Sequence, residues 1–309
     1  MAGGLEMKST MTARVKSYLG ARRALGYKLH TEGGMLLNFA RYADRTQHQS
    51  PLTTALALRW ATLPRRCDPL YRARRLEVVR VFAKYLATLE PATEIPPRHV
   101  LGPAHKRRRP HFYTTAQILS LMSRAAHLHG RLRPQTYRIL IGLLSCSGLR
   151  ISEALSLGVS DFDLSAGLLV VRESKYHRTR LVPLHPTCVA ALRRYASKRT
   201  RLFPNATRFF VSDRGTGFAY STVRTVFREL AGDIQSTSER RHVRLHDLRH
   251  TFACRVLLRW QHSRRGAAGR VIILSRYLGH ERVSDTYWYL TAIPELLRGA
   301  GQHFQSPEP

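Results

Sequence analysis

The residues able to act on a charged substrate are few and fall in an ordered series. In His246-Asp247-Leu248-Arg249-His250, His246 and Arg249 stand three positions apart. On a helix that spacing puts both on one face. They make a poor core pair, because each would need its own buried partner. They suit the grip of one phosphate, Arg249 supplying a planar double donor and His246 a further hydrogen bond; a solvated basic helix face is the alternative. A second arginine follows the break Ser147-Gly148-Leu149-Arg150. At the start of the next helix, Arg150 either shares an anion with free backbone N–H groups or pairs with Glu153. Lys175 falls in the polar turn from Glu173 to Thr179, where it is either solvated or placed to deliver a proton as a general acid. Leu278-Gly279-His280 comes near the end, and Tyr289 stands nine residues after His280.

These residues need a scaffold, and the apolar pattern supplies one. Val15, Tyr18, Leu19 and Leu25 recur at helical spacing with Gly26 as a stop, and Thr31-Glu32 starts a second helix through Leu36, Phe39 and Tyr42. Ser50-Pro51 opens a third helix around Leu52 to Trp60, and Arg74 to Leu89 reads as a fourth, strongly amphipathic one. Pro91, Pro96, Pro97, Pro103 and Pro110 then deny regular structure to a stretch that carries Lys106-Arg107-Arg108-Arg109. This is the clearest domain boundary in the chain. Beyond it, Thr114-Thr115-Ala116-Gln117 starts a helix, Thr136 to Ser147 is an apolar helix, and Leu168 to Val171 and Arg180 to Val182 are short strands. Further helices fit from Pro186 through Tyr195 and at 221–231, 246–260, 271–278 and 284–289. The fold class is therefore mainly α with a small antiparallel β-sheet in the second domain.

Composition narrows the partners. The chain has 309 residues with 51 Lys plus Arg against 20 Asp plus Glu, a formal charge of +31. Residues 1–110 hold 21 basic and 7 acidic residues, so both parts of the chain are cationic while folded. Such self-repulsion points to a polyanionic partner, and nucleic acid leads. The run Lys106 to Arg109 is then read as tracking a phosphate backbone, a solvated linker being the alternative. Cysteines at 67, 146, 188 and 254 form no CxxC pair, which argues against a zinc ribbon or a disulfide framework and for four reduced thiols. Met1 to Glu6 carries no signal-like apolar stretch, and runs such as Leu168 to Val171 are too short to span a bilayer. A soluble, intracellular protein with no membrane partner is expected.

Taken in order, Arg150, Lys175, His246 with Arg249, Leu278-Gly279-His280 and Tyr289 resemble the tyrosine recombinase (phage integrase) family of DNA breaking and joining enzymes. Lys175 is placed by aligning Arg180-Leu181-Val182-Pro183-Leu184 with the family's third strand. The likeness is close over 111–290, while the helical 11–90 is similar in outline to the family's core-binding domain. It implies a two-domain, C-shaped DNA clamp: residues 1–95 a helical (SAM-like) DNA-binding domain, 96–110 a basic linker, 111–290 the catalytic domain, and 291–309 a tail. In that tail Ile293, Leu296, Leu297 and Phe304 are expected to dock on a neighbouring protomer or pack back on their own domain.

The resemblance also implies a mechanism. Arg150 and Arg249 would hold the non-bridging oxygens of a phosphodiester, with His246 and His280 adding hydrogen bonds or taking a proton. Tyr289 would attack to give a 3′-phosphotyrosine, and Lys175 would protonate the departing 5′-oxygen. No cofactor or metal enters, and Asp161 and Asp163 read as capping or turn residues. The partners implied are double-stranded DNA with paired recombination sites and further subunits, four protomers on a Holliday junction. The setting implied is the bacterial cytoplasm and its nucleoid, with a phage, transposon or integron element, a mobile-element transposase or a resolution system as the source. Tyr287 is the rival nucleophile, turned roughly 200° from Tyr289 on a helix, and His250 reads as structural. Residues 290–291 lack the histidine many relatives carry there, and Gln261 to Arg270 is longer and more basic than usual, as a DNA contact or a surface loop. The competing functions are a type IB topoisomerase and a DNA-binding protein with a dead site.

Overall fold

The structure, a computed structural model, describes residues 10–48, 51–104, 110–174, 178–234, 243–261 and 270–292. The chain separates into two compact units, residues 1–108 and 109–309. In the first, helices α1 (Met11–Ala24), α2 (His30–Arg45), α3 (Thr54–Thr62) and α4 (Pro69–Leu86) enclose one core. Their starts follow from local chemistry. The Thr10 and Thr53 hydroxyls accept the N–H groups of Ala13 and Leu56, and Asp68 accepts that of Leu70 with Pro69 at the first helical position. So α3 begins at its Thr53 cap, later than Ser50-Pro51, and α4 begins five residues before Arg74. Leu89, expected in the apolar stripe, lies beyond α4 and is 66% exposed. Trp60 is fully buried, its indole N–H donates to Asn38 Oδ1 at 3.0 Å, and the Arg75 guanidinium sits 3.7 Å over its ring. Burying a side chain of that size contributes about 2–3 kcal/mol.

The second unit holds α5 (Thr115–Ala126), α6 (Arg133–Ser147), α7 (Ile151–Ser156), β1 (Phe162–Asp163), β2 (Leu168–Ser174), β3 (Arg178–Pro183), α8 (Pro186–Leu202), α9 (Tyr220–Ala231), α10 (Leu245–Gln261), α11 (Arg270–Leu278) and α12 (Ser284–Ala292). Thr114 and Gln117 form a capping box at the start of α5. The strands make an antiparallel sheet in the order β1-β2-β3, pairing Phe162 with Leu169 and Val171 with Arg180. Strand β1 has no signature in the sequence, because two residues carry no alternation. Asp161 and Asp163 do serve locally: Asp161 accepts the Gly158 N–H and pairs with Arg172, and Asp163 caps the turn at Ser165 and Ala166. Along β3, Leu181 is 58% exposed while Val182 is buried, so the inward face carries Arg180 and Val182.

Helix α6 packs against α5, α8 and α10, placing its C-terminal end in the middle of the unit. The main core gathers Leu140, Leu144, Leu192, Tyr195, Phe227 and Leu248, and a second cluster joins Ala253, Leu257, Leu274 and Leu278 to Tyr289. Among the described residues, no helix is long and apolar enough to cross a membrane.

Candidate active site

Two glycines fix the backbone on which the site is built. Gly148 ends α6 in the left-handed region at φ 62°, where a Cβ would lie 2.4 Å from Phe252 Cδ1. The turn delivers Arg150 to the start of α7. Gly279 ends α11 at φ 66°, where a Cβ would lie 2.8 Å from Arg180 Nη1. Its N–H donates to Arg276 O and that of His280 to Ser275 O, the paired bonds of a Schellman turn. That turn leaves the next carbonyls of α11 open, and three arginines take them in succession. Arg180 Nε donates to Tyr277 O at 2.9 Å, Arg249 Nη2 to Leu278 O at 2.6 Å, and Arg150 Nη2 to Gly279 O at 2.8 Å. The negative end of the helix thus collects three guanidinium groups from α7, β3 and α10.

One carboxylate locks the arrangement. Glu153, 6% exposed, accepts the Arg150 N–H and Arg150 Nη1 at 2.9 and 2.8 Å, and Arg180 Nη1 and Nη2 at 3.1 and 2.8 Å. Burial raises its pKa, but the Arg180 bonds and charge, with the bonds from Arg150, outweigh burial and bring it to about 2. The choice for Arg150 between pairing with Glu153 and facing an anion is thus not exclusive: Glu153 fixes one edge of the guanidinium. Arg249 is buried, and its Nη1 also donates to Gly148 O at 2.7 Å. Burial, then the neighbouring Arg150 charge, lowers its pKa to about 10.

Around Arg249 stand three imidazoles and a phenol. Tyr289, from α12, is 2% exposed and hydrogen-bonded with Arg249. Its ring stacks on that of His280 at an angle of 23°, centroids 6.0 Å apart, and meets His250 edge to face at 5.3 Å. His250 in turn meets His246 at 4.6 Å. Burial raises the phenol pKa against the lowering effect of Arg249. Burial first, and then the Arg249 charge, pulls His280 down to about 3. His246, open to solvent on one side, shifts downward for the same two reasons, and burial followed by His246 takes His250 to about 2. At neutral pH all three rings are therefore uncharged, each with a nitrogen lone pair able to accept a proton. Thr286 Oγ1 lies 2.7 Å from His280 Nδ1, a hydrogen bond that fixes the orientation of the ring.

The structure thus brings Arg150, His246, Arg249, His280 and Tyr289 to one place. Tyr287 is 49% exposed and points away, as the helical spacing requires. Lys175, Lys106, Arg107, Arg108 and Arg109 lie outside the described residues, as do residues 262–269 of the basic insert and the tail from Ile293. Sequence reasoning misses Arg180 and Thr286 and sees Glu153 only as a partner for Arg150. For Arg180 a signal is present: a charged residue on the inward face of a half-buried strand.

Comparison with known proteins gives the family. Residues 111–295 match the model of the phage integrase family. The y4rB protein of Sinorhizobium fredii, which carries an integrase/recombinase name, is 40% identical over 304 residues, covering 94% of this chain and 96% of the relative. Tyrosine recombinase XerC of Thermodesulfovibrio yellowstonii is 31% identical over 224 residues, 70% of this chain and 69% of the relative. Among solved structures, the Tn1549 transposon integrase in complex with transposon right-end DNA shares the fold with a TM-score of 0.65 at 16% identity, covering 96% of this chain and 100% of the other. The chain belongs to the phage integrase family and is a tyrosine site-specific recombinase.

Proposed function

We propose that this recombinase cleaves and rejoins double-stranded DNA through a 3′-phosphotyrosine at Tyr289. The observation that carries the reading is the contact of Tyr289 with Arg249, inside a cluster to which Arg150, His246 and His280 also belong. A phosphodiester repels nucleophiles, and a phenol is mostly protonated at neutral pH. Arg150 and Arg249 hold the non-bridging oxygens and stabilise the charge that builds in the transition state. Neutral His246 or His280 accepts the phenolic proton as the oxygen of Tyr289 attacks phosphorus in line. The bond to the 5′-oxygen breaks, and Lys175 protonates that oxygen as it leaves. The ester keeps the bond energy, so a 5′-hydroxyl from another strand can attack it and reseal the backbone.

The cationic first unit and the linker cations Lys106 to Arg109 add phosphate contacts to the duplex. Paired sites, a tetramer and a Holliday junction follow from the same reading, since rejoining to a new partner requires two duplexes. The setting is the bacterial nucleoid. Nicked suicide DNA tests the chemistry: wild type should accumulate a covalent protein–DNA adduct, Tyr287→Phe should match it, and Tyr289→Phe should bind DNA but form none. No adduct from the wild type would leave only a DNA-binding protein. Relaxation of plasmids lacking paired sites, by a monomer, would replace recombination with topoisomerase activity.

A further inference from the structure

Two cysteines far apart in the chain meet in the fold. Cys146, in the last turn of α6, places its sulfur 3.5 Å from that of Cys188, in the first turn of α8. Cys146 is exposed and Cys188 half-buried, so small molecules reach the pair. We propose that Cys146 and Cys188 form a modification site, a thiol pair that a peroxide converts to a disulfide tying α6 to α8.

The two sulfurs are not equivalent. The Cys146 thiol donates its hydrogen to Cys188, which favours a thiolate on Cys188 and raises the pKa of Cys146. Cys188 is also the third residue of a 17-residue helix, where the helix dipole favours negative charge. The Cys188 thiolate attacks one peroxide oxygen, breaking the O–O bond to give a sulfenic acid and hydroxide. The Cys146 sulfur then attacks the sulfenic sulfur, its proton leaving with the hydroxyl as water. One peroxide is reduced and two thiols are oxidised.

Bonded sulfurs lie about 2.05 Å apart, so the pair must close by about 1.5 Å. Cys146 stands two residues before Gly148, whose carbonyl holds Arg249 at 2.7 Å, and four before Arg150. Closure therefore pulls on the turn that sets both arginines. The disulfide itself does not depend on the function proposed above, but its effect on cleavage does.

The test treats the full chain with a small excess of hydrogen peroxide, unfolds it, alkylates free thiols and maps peptides without reductant. A Cys146–Cys188 linked peptide is expected, with Cys67 and Cys254 alkylated, and Cys188→Ser should yield no link. Recovery of Cys146 and Cys188 as alkylated or separately oxidised thiols would overturn the site. In parallel, adduct formation on nicked DNA should fall about tenfold to 100-fold on oxidation, return with dithiothreitol, and stay unchanged in peroxide-treated Cys188→Ser. A mapped disulfide with an unchanged rate would overturn the coupling to the arginines, whereas absence of any adduct from reduced protein would tell against the phosphotyrosine reading instead.

Discussion

Replacing Glu153 with glutamine tests whether one carboxylate organises the site. Glutamine keeps the shape but removes the charge, and its amide N–H₂ turns toward a guanidinium. Two routes give the size of the effect. The shift of the carboxyl from 4.5 to about 2 corresponds to about 3 kcal/mol. Breaking a buried ion pair from one side costs about 3–5 kcal/mol, and the partial exposure of Arg150, at 25%, favours the lower end. The expected loss is about 3 kcal/mol at pH 6. In urea titration of the full chain followed by circular dichroism, only the transition of the 109–309 unit should move, by about 1–1.5 M at a slope of 2–3 kcal/mol/M. The pH dependence is the sharper part. A depressed folded pKa gives stability that is complete above the unfolded value of 4.5 and is lost as pH falls toward about 2. The difference between wild type and Glu153→Gln should therefore shrink to about 1.4 kcal/mol at pH 3. A loss below about 1 kcal/mol at pH 6, or one of equal size at pH 3, would refute the reasoning.

Other consequences are open to the same methods. Gly148→Ala puts a Cβ against Phe252 at a positive φ and should destabilise the second unit by more than about 1 kcal/mol, read from the urea midpoint. Thr286→Val removes the partner of His280 Nδ1 while keeping the shape; single-turnover adduct formation should fall about 10- to 100-fold, with DNA binding by filter retention unchanged. His250 and His280, with folded values of about 2 and 3, stay neutral in the fold while the unfolded chain takes up protons. Stability is then complete above about pH 6.5 and declines below it, by at most about 1.4 kcal/mol per unit for each ring, which urea midpoints between pH 7 and pH 5 will show.

Local spacing along the chain already encodes much of the site. The glycines at 148 and 279 mark where helices must stop, and the three-residue spacing of His246 and Arg249 sets them on one face. The two-residue separation of Tyr287 and Tyr289 sends them to opposite sides, one 49% exposed and the other 2%. What the sequence hides depends on contacts between distant segments. Glu153 is three residues from Arg150, so that bond is visible, but Arg180 is 27 positions away on a strand. The bond from Thr286 to His280 looks like any helical threonine until the turn at Gly279 is folded. Pattern alone starts helix α3 too early because Ser50-Pro51 is a fair start signal, yet Thr53 offers the cap its backbone uses. The meeting of Cys146 and Cys188 depends on the packing of α6 on α8, which no local pattern encodes.

The carbonyls of Tyr277, Leu278 and Gly279 explain why the short sequence Leu278-Gly279-His280 matters beyond its histidine. Three guanidinium groups cannot be brought together in a half-buried site without compensation, and Glu153 supplies a single negative charge. The rest comes from the exposed carbonyl end of α11, which lowers the repulsion without cancelling the charge. The site is left with an excess of positive charge held at fixed positions, and burial together with that excess keeps the neighbouring imidazoles neutral. A phosphate entering it would neutralise part of that charge, so the histidines would gain basicity at the moment a phenolic proton has to be accepted. Substrate binding and activation of Tyr289 would then be one electrostatic event. Replacing Gly279 with alanine would press a Cβ against the Arg180 guanidinium at a positive φ, displace the carbonyls from the arginines and weaken that coupling, even with every one of Arg150, His246, Arg249, His280 and Tyr289 still in the chain.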